Sequence, residues 1–219
     1  MSMVIVKQWL RGFTLVELLI CVAVLAVIIG LLLPALIPHH HNADSSARVK
    51  CRNNLKQVGL AFRLFAVDHQ DRFPMQVSTN DGGTLELVGE GAVSQHFLAL
   101  SNELVTPLVI ICPADKKRSA ARAFSTLNES NVSYFVGLDS SGRSELILSG
   151  DRNVTTNGRL LKAGIVNLPT NSMVGWSPDI HNLMGQIAMG DGSVQQLTAS
   201  RLMDLLWGTG LATNRLVVP

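Results

Sequence analysis

The sequence predicts an α+β chain: a long N-terminal helix, half of it transmembrane, packed on a small antiparallel sheet with short helices. Three observations carry this. Leu18 to Ile37 is a run of twenty residues without a charge, about the length that crosses the hydrocarbon core of a bilayer as a helix. From Ala47 to Phe65 apolar residues recur at steps of three and four, the mark of one helical stripe. Further on, short apolar runs alternate with Gly, Asn and Asp clusters, as in short strands joined by turns.

At 219 residues the chain holds one ordinary domain plus an anchor. Its formal charge is +2. The first twelve residues contribute Lys7 and Arg11 and no acid, which leaves sixteen basic and sixteen acidic residues from Phe13 onward. A neutral balance of that kind excludes a general nucleic-acid binder, which needs a basic surplus. The basic flank also sets direction: positive charge stays in the cytoplasm, and the bulk of the chain is exported.

The start of the apolar run reads Gly12-Phe13-Thr14-Leu15-Val16-Glu17. A carboxylate at membrane depth costs about 2.5–3.5 kcal/mol on insertion scales, and such groups usually have a functional partner. A cut between Gly12 and Phe13 would create an α-amine one helical turn from Glu17, within one chain or between neighbours in a stack. Gly-Phe-Thr-Leu-Val-Glu followed by about twenty apolar residues resembles the processing site of type IV pilins and type II secretion pseudopilins. In that family a membrane peptidase removes the leader and methylates the new N-terminal phenylalanine. The resemblance implies cleavage after Gly12, methylation of Phe13, Glu17 as the assembly carboxylate and Pro34 as the mid-helix proline. An ordinary signal peptide carries its cleavage site beyond the apolar run, after small residues, and Pro34-Ala-Leu-Ile-Pro38 is a poor site of that kind.

The elements follow in order. Residues 1–12 form the leader, 13–38 the transmembrane and assembly helix, 39–72 its soluble continuation, and 73–219 the globular domain. The two helical segments form one long helix, bent or locally unwound near Pro34 and Pro38, since an interior proline removes a hydrogen bond and clashes with the preceding turn. His39 to His41 act as a polar stop at the membrane interface. The stripe Ala47, Cys51, Leu55, Val58, Phe62, Phe65 faces the domain. A short strand is expected over 84–88, an amphipathic helix over 92–104, a buried strand over 108–112 and a short helix over 116–127. Paired strands follow over 132–138 and 145–149; residues 159–168 are open between strand and irregular structure. A helix over 199–207 and a last strand near 216–219 close the chain.

A second motif lies in the last third. His181 is followed by nine residues and then Asp191-Gly192. Gln186 to Met189 and Ser193 to Leu197 read as two strands, with Asp-Gly as a hairpin turn. The spacing resembles the H-x9-D-G signature of a large group of pilin-like proteins of planctomycetes and verrucomicrobia. Cys112-Pro113-Ala-Asp115, Ser133 to Gly137 and Gly150-Asp151-Arg152-Asn153 also look like segments of that group. The role of His181, Asp191 and Gly192 stays open: a general-base pair or cation ligands with Asp179, or an aspartate that caps the turn beside a packed histidine. Cys51 and Cys112 lie in exported, oxidising space; they form a disulfide or stand as two reduced, buried thiols.

The reading that results is a structural subunit, a pseudopilin or minor pilin, with no catalytic residues, cofactor or metal. Its expected partners are the prepilin peptidase, other pilin or pseudopilin subunits and the inner membrane, without nucleic acid. The expected topology is single-pass, N-terminus cytoplasmic and C-terminal domain periplasmic, before assembly into a filament. The alternative is a membrane-anchored periplasmic binding module, or an enzyme using the His181/Asp191 region.

Overall fold

The computed structural model describes residues 14–36 and 43–219. Gly12, Phe13, Pro38 and His39 to His41 lie outside the described residues. The chain divides into two compact units, Met1–His41 and Asn42–Pro219.

The first unit contributes helix α1, Leu15–Leu36. Its window Leu15–Leu32 has a mean hydropathy of 3.1, and its large apolar side chains are exposed, Leu15 by 79 % and Leu31 by 74 %. Pro34 lies inside α1, two residues before its end.

In the second unit, α2 spans Ala43–Asp68 and forms along the predicted stripe. Cys51, Leu55, Val58 and Phe62 are fully buried and Phe65 nearly so, while Ala47 is half-buried. The stripe covers one face of a six-stranded sheet. Its strands are β1 (Tyr134–Gly137), β2 (Ile147–Asp151), β5 (Gly164–Pro169), β7 (Gly185–Met189), β8 (Val194–Leu197) and β9 (Thr213–Val218). They are ordered β5-β9-β1-β2-β7-β8, and every pairing is antiparallel. A three-stranded sheet, β4 (Arg159–Leu160), β3 (Val154–Thr156) and β6 (Val174–Trp176), joins helix α5 (Ala199–Gly208) on the other side.

Strand alternation sends successive side chains to opposite faces, and this sheet uses both. Tyr134, Val136, Leu148 and Ala188 enter the α2 core with Phe62, Phe73 and Phe97. Phe135, Ile147, Ile187 and Met189 enter a second core with Trp176, Leu202 and Leu206. The paired strands over 132–138 and 145–149, the hairpin after His181, the helix at 199 and the last strand form as expected. The ambiguous stretch 159–168 supplies β4 and most of β5.

Several local expectations are corrected. Residues 84–88 form no strand but a 3₁₀ helix, Leu85–Glu90. Its backbone is already engaged: Thr84 N–H donates to Pro74 O at 2.7 Å and Leu85 N–H to Val77 O at 2.9 Å. Residues 108–112 are buried as expected in part, but in a 3₁₀ turn, Pro107–Ile110. Proline fixes φ near −65° at its first position, and Thr106 caps it by accepting from Leu108 N–H. The expected helix over 116–127 reduces to a 3₁₀ turn at Phe124–Thr126. There Lys117 N–H goes to the Asp115 carboxylate at 3.1 Å, and Asn131 donates to Ser119 O at 2.8 Å. Such side-chain bonds to the backbone compete with helix formation. The helix over 92–104 is interrupted into α3 (Val93–Leu98) and α4 (Ser101–Leu104).

Candidate functional site

Two places carry candidate function. The first is the start of α1. Thr14 N–H and the Thr14 hydroxyl both donate to Glu17 Oε2 at 2.9 Å, and Glu17 N–H donates back to Thr14 Oγ1 at 3.2 Å. This is a capping box, threonine at the N-cap and glutamate three residues on, each satisfying a backbone donor of the first turn. The Thr-x-x-Glu spacing was the signal for it, and the sequence reading passed over it.

The second lies between α2 and the sheet. His181, Asn182 and Leu183 take φ values of +57°, +50° and +63°. Three successive non-glycine residues in the left-handed region are costly, and the turn they make buries His181. His181 Nε2 stands 3.3 Å from Cys112 Sγ and 3.6 Å from Asp151 Oδ2. Cys51 Sγ donates to Asp151 Oδ1 at 3.2 Å and lies 3.4 Å from the Tyr134 hydroxyl. One ligand-type atom from each of Cys51, Cys112, Asp151 and His181 falls within 4.8 Å of the others, and all four residues are buried. Both cysteines are free thiols.

Burial dominates the electrostatics here. It pushes Asp151 up to about 7, against hydrogen bonds from Gln186 N–H and Cys51 that favour the carboxylate. It pushes the Cys51 thiol well above its ordinary value. It lowers His181 to about 4, and the charge of Arg48 works in the same direction. The imidazole is therefore neutral at pH 7, and its approach to Asp151 is a contact of neutral ring and carboxyl rather than a salt bridge.

The other half of the second motif sits apart. Asp191 is exposed at the hairpin turn, where its Oδ1 accepts from Ser193 N–H at 2.9 Å. That bond holds its carboxyl below the usual range. Gly192 has φ +85°, and a side chain on Gly59 of α2 would meet Gly192 Cα at 3.2 Å. The Asp-Gly turn therefore rests on α2. Asp179 pairs with Lys117 at 2.9 Å. Asp191 therefore stands apart from His181, and Asp179 lines the same cleft as His181 but is held by Lys117; the buried donors around His181 are Cys51, Cys112 and Asp151.

Residues 11–33 match the family described as the prokaryotic N-terminal methylation motif. This is a prepilin-type N-terminus. With the apolar helix that follows, it supports a type IV pilin-like or pseudopilin family. No curated protein and no solved structure matches the chain. The matched segment ends inside α1, so the buried cluster belongs to the portion of the chain outside the match. That cluster was missed in sequence because Cys51 and Asp151 are 100 residues apart, and Cys112 and His181 are 69 apart.

Proposed function

We propose that this chain is a structural subunit, a pseudopilin or minor pilin, of a type II secretion or type IV pilus-like filament. The leader is removed after Gly12 by the prepilin peptidase, Phe13 is methylated, and the domain faces the periplasm from a single-pass anchor in the inner membrane. The observation that supports this reading is α1. Behind a methylation motif stands a helix of 22 residues whose large apolar side chains are exposed, while the domain closes its own cores. A helix apolar on all sides needs lipid or other such helices around it. Assembly moves α1 from lipid into an equally apolar bundle of neighbouring subunits. Glu17 supplies register, since a carboxylate in that setting is favoured only where an amine meets it. Pro34 takes the place of the family's mid-helix proline. The spacing of His181, Asp191 and Gly192 supports membership of the H-x9-D-G group.

The test is the N-terminal residue and mass of the protein purified from its native membrane. A chain that begins at N-methylated Phe13 is the expected result. An intact leader, or a cut beyond Pro38, overturns the reading.

A further inference from the structure

We propose that Cys51, Cys112, Asp151 and His181 form a structural zinc(II) site that staples α2 to the sheet of the exported domain. Four donors held at about 2.0–2.3 Å on the corners of a tetrahedron stand about 3.3–3.8 Å from one another. The approaches are 3.2 Å for Cys51 Sγ to Asp151 Oδ1, 3.3 Å for Cys112 Sγ to His181 Nε2 and 3.6 Å for His181 Nε2 to the other carboxylate oxygen, Asp151 Oδ2. All of the ligand-type atoms lie within 4.8 Å. These separations lie close to those that a tetrahedral ion would set between its donors.

The donor set selects the metal. Two thiolates exclude calcium and magnesium, which take oxygen. Imidazole and carboxylate beside two thiolates suit zinc. Four protein donors, all buried, leave no open position, which is the arrangement of a structural site rather than a catalytic one.

The neighbouring residues hold the four donors in place, as the residues around a metal site must. Asp151, Arg152 and Asn153 are consecutive, and each holds a different piece. Asp151 Oδ2 accepts from Gln186 N–H at 2.7 Å. Arg152 makes a two-pronged pair with Asp115, 2.6 and 2.7 Å, three residues beyond Cys112. Asn153 Nδ2 donates to Ser177 O and Ile180 O at 2.8 and 2.9 Å, immediately ahead of His181. Asp115 also accepts from the Ser133 hydroxyl at 3.0 Å. His181 lines a cleft of about 280 Å³ together with Asp44, Arg48 and Lys116, which gives an ion a way in. On binding, each thiol releases its proton to solvent, as does the Asp151 carboxyl where it is protonated, and the Cys51 sulfur exchanges its bond to Asp151 for one to the metal.

The experiment uses the full chain, purified in detergent under reducing conditions. Zinc is measured by mass spectrometry of the elements, and cobalt(II) replaces it for spectroscopy. The expected result is one metal per chain, with thiolate-to-cobalt charge-transfer absorption and tetrahedral d–d bands. The Cys51→Ser/Cys112→Ser double variant loses the metal and the charge-transfer band, whereas Asp191→Asn keeps both. If the double variant fails to fold, stoichiometry and the thiolate band of the unaltered chain decide. A reduced chain that takes up no metal, a cobalt spectrum without thiolate bands, or a folded double variant that still holds one zinc would overturn the site. So would a native chain isolated metal-free with Cys51 and Cys112 oxidised to a disulfide.

Discussion

Helices α1 and α2 have similar lengths, 22 and 26 residues, and opposite dependence on the rest of the chain. Every described large apolar side chain of α1 is exposed, whereas α2 buries Cys51, Leu55, Val58 and Phe62 completely in its own domain. An apolar helix with an uncovered surface is stabilised by what it enters. An amphipathic one is stabilised by what folds around it. The first helix can therefore carry an assembly role in a few adjacent residues. The second takes part in a site only after distant segments have been brought to it.

The largest way to break this contrast is Phe62→Ala. Phe62 is fully buried, edge-on to Phe73 at 5.6 Å and to Phe97 at 6.4 Å between ring centres. Its truncation should destabilise the domain by about 3–5 kcal/mol, read as the denaturant midpoint, while the protein still partitions into membranes. Loss of membrane association in this variant would show that α1 depends on the domain.

A somewhat smaller effect separates the two regions by pH. His96 is buried, 1 % exposed, and burial lowers it to about 4. In the unfolded chain it titrates near its ordinary value of about 6.5. Between those values the unfolded chain binds the extra proton. The His96 contribution to domain stability is then complete above about pH 6.5 and falls by roughly 3 kcal/mol as pH drops toward 4. His96→Gln should remove that share of the pH dependence of the melting temperature, leaving the shares of His181, lowered in the same way, and of Asp151, raised and so opposite in sign; a melting profile identical to that of the unaltered chain would overturn the assignment.

The smallest effect on stability is at Glu17, and it sharpens the comparison most. Loss of the Glu17 carboxylate removes one partner of the capping box and leaves Thr14 at the N-cap, so the 22-residue apolar helix should still insert. Glutamine at the same place retains the capping box but not the charge. If charge pairing with the Phe13 amine drives assembly, Glu17→Gln and Glu17→Ala insert, are processed, and both fail to enter filaments. Filament incorporation of Glu17→Gln alone would leave the residue as a cap. The domain's melting temperature should be the same in both.

What was legible in the sequence follows the same division. The apolar run, its glycine–phenylalanine start, the stripe from Ala47 to Phe65 and the hairpin around Asp191-Gly192 depend on spacing within one element. The 3₁₀ turn at Pro107–Ile110 has a local signal in Thr106-Pro107, but no local pattern records that Ile110 O accepts from Ser133 N–H. Gly150-Asp151-Arg152-Asn153 stands out in the sequence only by its likeness to the H-x9-D-G group, whereas in the fold each of its last three side chains holds a segment far along the chain. Two cysteines, a histidine and an aspartate far apart in the chain were the available signal, but only the fold shows that they converge.

The hairpin of β7 and β8 has a last consequence. One end of β7 is fixed at α2 through His181 and Cys51, the other through Gly192 and Gly59. Eight residues of helix rise about 12 Å. The nine residues after His181 thus act as a gauge cut to the distance between two marks on α2. Substitution inside the gauge keeps its length. One added residue would exchange the faces of the strand, turning Ala188 toward the far core and Ile187 toward α2. The constraint at this place is a count of residues more than a choice of them.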